Sequence, residues 1–165
     1  MIKEAIAQLV DLQDLTAGEA ARVMNEILTG TATEAQIGAF LTAMRMKGEK
    51  NWEIASFARV LRSQAVTVTP GLSGSLVDTC GTGGDASGTF NISTVAAIIA
   101  AAAGVPIVKH GNRGVSSRCG SADLLEELGI PLEMEPARVR ECVEKCGIGF
   151  FYAPLYHGAM RHAAG

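Results

Sequence analysis

Apolar residues recur at helical intervals along the first third of the chain. Ile2, Ile6, Leu9 and Val10 share one face, and Ala20, Val23, Met24, Ile27 and Leu28 form a second stripe. Thr16 with Glu19, and Thr33 with Gln36, stand at capping-box spacing, where hydroxyl and longer side chain each satisfy an orphan backbone N–H. Gly30 closes the second stripe, and Gly48 follows a third made of Ile37, Phe40, Leu41 and Met44. Asn51 is placed to cap a fourth helix whose buried face would be Ile54, Phe57, Ala58 and Leu61. Residues 1–66 therefore predict a small all-helical domain. Short helices leave apolar remainder that a two-fold partner can cover, so this domain is the expected dimer interface.

Residues 67–74, with Pro70 and Gly71, read as a linker. Beyond it the pattern changes. Short apolar runs at Ser75–Asp78, Val105–Lys109 and Gly149–Tyr152 alternate with helical stretches at Ile92–Ala103, Ser121–Leu128 and Pro136–Cys146. Such alternation implies parallel strands joined by right-handed helical crossovers. The expected fold class is α/β with an N-terminal all-helical domain. Residues 75–154 supply part of a parallel sheet with crossover helices, and residues 155–165 a helical tail returning to the helical domain. The alanine-rich run Ile92–Ala103 is too short to cross a bilayer and reads as a buried helix.

Composition narrows the choice. With 48% hydrophobic and 19% charged residues, the chain has the makeup of an ordinary globular protein. A net charge of −3 argues against a nucleic-acid binder, which needs a clustered basic face, but leaves phosphate-bearing small molecules open. The four cysteines form no CxxC pair, and Cys142 and Cys146 share a helical face with Val139 and Val143, which predicts core packing. With no signal-peptide pattern, this points to a reducing, cytoplasmic setting and no membrane.

Two loops carry the candidate chemistry. The stretch VDTCGTGGDASGTFNIST, residues 77–94, places glycines at 81, 83, 84 and 88 just before a helix. Glycines that dense let backbone N–H groups turn inward on an anion, and the helix N-terminus adds the positive end of its dipole. The spacing fits neither the dinucleotide fingerprint nor the lysine-ended nucleotide loop. The second loop, KHGNRGVSSRCGS, gathers Lys109, Arg113 and Arg118 with His110, Asn112 and the hydroxyls of Ser116, Ser117 and Ser121. Both loops leave strands at the carboxyl edge, where ligands of open parallel sheets bind. Two facing anion sites predict a substrate with two separated phosphate groups.

GTGGD, GTFNIST, KHGNRGVSS and FFYAPLYHGAM, in this order and at these intervals, resemble the anthranilate phosphoribosyltransferase family of tryptophan biosynthesis. The resemblance implies a nucleoside phosphorylase/phosphoribosyltransferase-like fold and transfer of a phosphoribosyl group from 5-phosphoribosyl 1-diphosphate to anthranilate, releasing pyrophosphate. It places Gly81, Gly84, Asp85, Thr89, Asn91, Ile92, Ser93 and Thr94 at the diphosphate end. Lys109, His110, Gly111, Asn112, Arg113, Gly114, Val115, Ser116, Ser117 and Ser121 would surround the rest of the donor. Gly81, Asn112, His110 and His157 would line the anthranilate channel, and Ser93 would be a ligand of Mg2+. No residue is assigned as nucleophile or base. The departures are Gly114, where the family often has a small side chain, and Gly158, where proline usually follows the Tyr-His pair. Two other readings remain: a pyrimidine nucleoside phosphorylase-like enzyme, or a non-catalytic relative that binds phosphate or nucleic acid.

Against this family the chain looks truncated, an N-terminal portion ending before an acidic pair that binds a second magnesium. The 165-residue chain is accordingly expected to show negligible transferase turnover by itself. Steady-state assay of the purified protein tests this, and near-normal turnover would refute it.

Overall fold

The computed structural model describes residues 1–81, 88–114 and 119–163. The chain divides into two compact units, one of Met1–Ala65 with the segment that begins at His157, the other Val66–Tyr156. In the first unit the helices are α1 (Ile2–Val10), α2 (Ala17–Leu28), α3 (Glu34–Lys47) and α4 (Asn51–Gln64), with a 3-10 turn at Gly158–Ala163. Both expected capping boxes form. The Thr16 hydroxyl accepts the Glu19 N–H at 3.2 Å while Glu19 accepts the Thr16 N–H at 2.8 Å, and Thr33 and Gln36 repeat the exchange. Leu9, Leu15, Val23, Ile27, Phe40 and Met44 pack into one core, with Phe57 edge-on to Phe40.

The fourth helix departs from its pattern. Asn51 is its first residue rather than its cap, and the inward positions are Glu53 and Ser56, while Ile54 is 53% exposed and Ala58 faces solvent. The reason is polar. Glu53, fully buried, accepts the Leu15 N–H at 2.8 Å, the Lys50 N–H at 2.8 Å and the Lys47 ammonium at 2.9 Å. Lys47 also donates to Asp14 at 2.8 Å. Burial works against its charge, but the bonds to Asp14 and Glu53 outweigh that and hold its pKa above the usual lysine value.

In the second unit the elements are α5 (Ile92–Ala102), β1 (Ile107–Gly111), α6 (Ser121–Glu127), α7 (Pro136–Cys146), β2 (Ile148–Tyr152) and the short α8 (Ala153–Tyr156). β1 and β2 pair in parallel, from Ile107 opposite Ile148 to Gly111 opposite Tyr152. The ladder begins at Ile107 because the Val105 N–H is taken by Ala100 and Pro106 has none to give. The strand expected at Ser75–Asp78 is reduced to a single parallel bridge, Val77 to Ile107. There the Asp78 carboxylate takes the His110 N–H at 3.2 Å, a position the backbone carbonyl two residues past Val77 would fill in a continued ladder.

Two more expectations are corrected. In α5 only Thr94 and Ala97 are buried, while Ile92, Ile98 and Ile99 stand 52%, 42% and 64% exposed, because the helix lays one stripe on a narrow sheet. In α7 the inward residues are Val139 and Val143, four apart. Cys142 lies beside that stripe, half-buried, and Cys146 is exposed at the helix end. Gly149 lets α7 sit close on β2, since a Cβ there would stand 2.9 Å from the Val139 carbonyl. No helix among the described residues is long and apolar enough to cross a membrane.

Replacing Glu53 by alanine takes one of two carboxylates from the buried Lys47 ammonium and leaves the Leu15 and Lys50 N–H groups without their acceptor, and should cost about 3–5 kcal/mol. Trp52, the sole tryptophan, donates to the Leu15 carbonyl at 2.9 Å in the same unit, so urea unfolding followed by its emission reads the effect. An unchanged midpoint would show that the network contributes nothing.

Candidate functional site at the carboxyl edge of the sheet

Three chain segments meet where Val77 and β1 end and α5 begins. The Asp78 carboxylate accepts N–H groups from Cys80 at 2.9 Å and His110 at 3.2 Å, joining the start of the first loop to the start of the second. The Thr79 hydroxyl donates to the Ser93 carbonyl at 2.9 Å, tying the same turn to α5. Asn91, just before α5, spends its amide across the gap, donating to the Gly120 carbonyl at 3.1 Å and the Cys119 sulfur at 3.4 Å. No side chain therefore caps α5, whose N-terminal dipole end lies at this rim. The described ends of the two loops thus meet at this rim.

The described ends of the second loop are held close together. Asn112 accepts the Ala122 N–H at 3.1 Å and the Ser121 hydroxyl at 3.3 Å through its backbone carbonyl. A Cβ on Gly120 would collide with the backbone of Asn112–Gly114, and one on Gly111 with the Ser121 hydroxyl, so both positions need glycine for close approach rather than for backbone freedom. Asp123 holds the loop from below, accepting the Gly120 N–H at 2.7 Å and the Gly114 N–H at 2.9 Å.

The cations are less open than the sequence implies. Arg113 turns its fork onto α6, donating to Glu126 at 2.8 and 3.0 Å and to Asp123 at 3.0 Å, which raises its pKa further. Lys109 is 3% exposed and donates to the His110 carbonyl at 3.0 Å. Beneath the rim it lines a cavity of about 110 Å³ with Thr94, Ala97, Leu125 and Phe150. The Thr94 hydroxyl, also buried, finds no hydrogen-bond partner among the described residues.

Among the residues singled out by sequence, the structure gathers Asn91, Ile92, Ser93 and Thr94 with Lys109 to Gly114 and Ser121 around this rim. Gly81 and Thr89 are exposed on the first loop. Gly84, Asp85, Val115, Ser116, Ser117 and Arg118 lie outside the described residues. His157 belongs to the first unit, where its carbonyl accepts the Met160 N–H. Sequence reasoning missed Asp78, Thr79, Asp123 and Glu126. Asp123 could have been found, because it stands three residues after Gly120, at the place where a first-turn carboxylate reaches back to its cap.

A helical unit followed by a parallel α/β unit is the domain order of the glycosyl transferase family. Residues 3–65 match the glycosyl transferase family helical bundle domain, and residues 73–165 match the glycosyl transferase family a/b domain. The chain belongs to that family. It is 59% identical over 165 residues to the anthranilate phosphoribosyltransferase of Methanosphaerula palustris, covering 99% of this chain and 49% of the relative. With that of Chloroflexus aurantiacus it shares 57% over 162 residues, 98% of this chain and 47% of the relative. A crystal structure of anthranilate phosphoribosyltransferase from Thermus thermophilus superposes with a TM-score of 0.86 at 44% identity, over 97% of this chain and 48% of that one. The Saccharomyces cerevisiae protein, in complex with PRPP and Mg, gives 0.87 at 27% identity, over 99% and 49%. The chain spans about half the length of the curated relatives it matches.

The N–H groups of Gly114 and Gly120, and then Arg113, hold the Asp123 carboxyl below its ordinary 3.8. A depressed folded value means stabilisation that is complete above 3.8 and lost as pH falls through the folded value. Asp123→Asn should lower stability by about 1–3 kcal/mol at neutral pH. Urea titrations followed by circular dichroism from pH 7 to 3 should show the gap to the parent closing only at the acid end; a gap independent of pH would overturn the assignment.

Proposed function

We propose that the rim holds 5-phosphoribosyl 1-diphosphate with magnesium, and that the whole protein transfers its phosphoribosyl group to anthranilate with release of pyrophosphate. The observation carrying this reading is the convergence of the two loops, joined through Asp78 to His110 and Asn91 to Gly120, in a member of this family. The PRPP and Mg bound to the yeast relative support it.

In this reading Gly81, Thr89, Asn91, Ile92, Ser93 and Thr94, with Gly84 and Asp85, take the diphosphate. Lys109 to Gly114 and Ser121, with Val115, Ser116 and Ser117, take the rest of the donor, while Gly81, His110 and Asn112 line the path of anthranilate. Ser93, half-buried in the first turn of α5, offers a hard oxygen of the kind Mg2+ accepts. Such an ion needs only one or two protein ligands, since phosphate oxygens and water complete its shell, so the residues fit it. When bound it supplies positive charge beside the departing pyrophosphate.

An aromatic amine is a weak nucleophile, so the reaction gains most from easing departure of the leaving group. The dipole end of α5 is aimed where negative charge grows, and positioning the amine near the ribose carbon supplies the orientational part. No base is required before attack. The exposed Leu41, Met46, Trp52 and Ile54 of the helical unit suit a homodimer interface, and four free cysteines suit a cytoplasmic enzyme.

Calorimetric titration of this chain with the phosphoribosyl donor and Mg2+, and separately with uridine and thymidine, tests the reading. Binding of the donor alone is expected. Binding of a nucleoside without the donor, or of neither, would overturn it.

A further inference from the structure

Asp78, Cys80 and His110 each offer a metal-ligating atom, and these three atoms lie within 4.8 Å of one another. The Cys80 sulfur stands 3.5 Å from His110 Nδ1. Two ligand atoms at ordinary zinc–sulfur and zinc–nitrogen bond lengths are about 3.5 Å apart when the ion is tetrahedral. We propose that this trio is a site for a thiophilic divalent cation of the zinc class, separate from the magnesium of the transfer reaction.

The backbone fixes the trio in place. Val77 is locked to β1 by two hydrogen bonds of 3.0 Å, to Pro106 and from Val108. Asp78 then accepts the N–H groups of both Cys80 and His110, so the residues that supply sulfur and nitrogen are held by the carboxylate that joins them. Such support is what keeps a metal ligand oriented. The thiol also donates to the Gly81 carbonyl at 3.3 Å. Binding forms a sulfur–metal bond and releases the thiol proton to solvent. Three protein ligands leave a fourth position for water or a ligand atom. Hard Mg2+ prefers oxygen and is a poor match to this donor set.

The test is titration of the reduced, metal-free 165-residue protein with Co2+, whose bond to a thiolate gives a charge-transfer band in the near ultraviolet. One equivalent should produce the band; Zn2+ should remove it and Mg2+ should not. Cys80→Ser should abolish it with melting behaviour unchanged, His110→Ala and Asp78→Asn should weaken apparent affinity by about 10-fold or more, and Cys146→Ser should leave it intact. Absence of the band in the parent protein, or its persistence in Cys80→Ser, would overturn the site.

Discussion

One carboxylate organises the edge of the sheet. By accepting the His110 N–H, Asp78 replaces the carbonyl that a longer strand would have offered, so the chain after Val77 is released from the ladder without leaving a donor unpaired. The same oxygen accepts the Cys80 N–H, so one atom ties the start of the first loop to the start of the second.

That economy extends to the second loop, where acids rather than bases do the shaping. Asp123 takes two loop N–H groups, and Arg113 is drawn onto Glu126 and Asp123. The fork of Arg113 thus braces its end of the loop against α6, engaged by two carboxylates. The start of α5 carries no side-chain cap, so the positive end of its dipole is presented at the rim. Lys109 lies below, buried, and lines one cavity with Thr94, whose hydroxyl has no partner among the described residues. A buried ammonium and an unsatisfied hydroxyl near one cavity are costly unless they serve something above them.

Much of this architecture was legible in the sequence. Both capping boxes, the alternation of strands and helices, and α7 beginning at Pro136 followed from local rules, because each depends on residues within one turn of each other. The meeting of the described ends of the two loops was legible too, through the rule that parallel strands present their carboxyl ends together. The bonds that hold them together were not. Asp78 to His110 spans 32 residues and Asn91 to Gly120 spans 29, and no local pattern marks which polar side chain will bridge such distances.

The helices α4 and α5 show the limit most plainly. Periodicity marked Ile54 and Ala58 as inward on α4, yet Glu53 and Ser56 hold those positions. The buried faces of neighbouring elements present an ammonium from Lys47 and an open N–H from Leu15, and only a carboxylate can meet both. On α5 the composition is apolar on all sides, and its neighbours cover one stripe. A hydrophobic pattern records which residues would gain from burial. Which of them are buried is set by what the facing elements offer, and a single buried charge is enough to rotate a short helix away from its most apolar face.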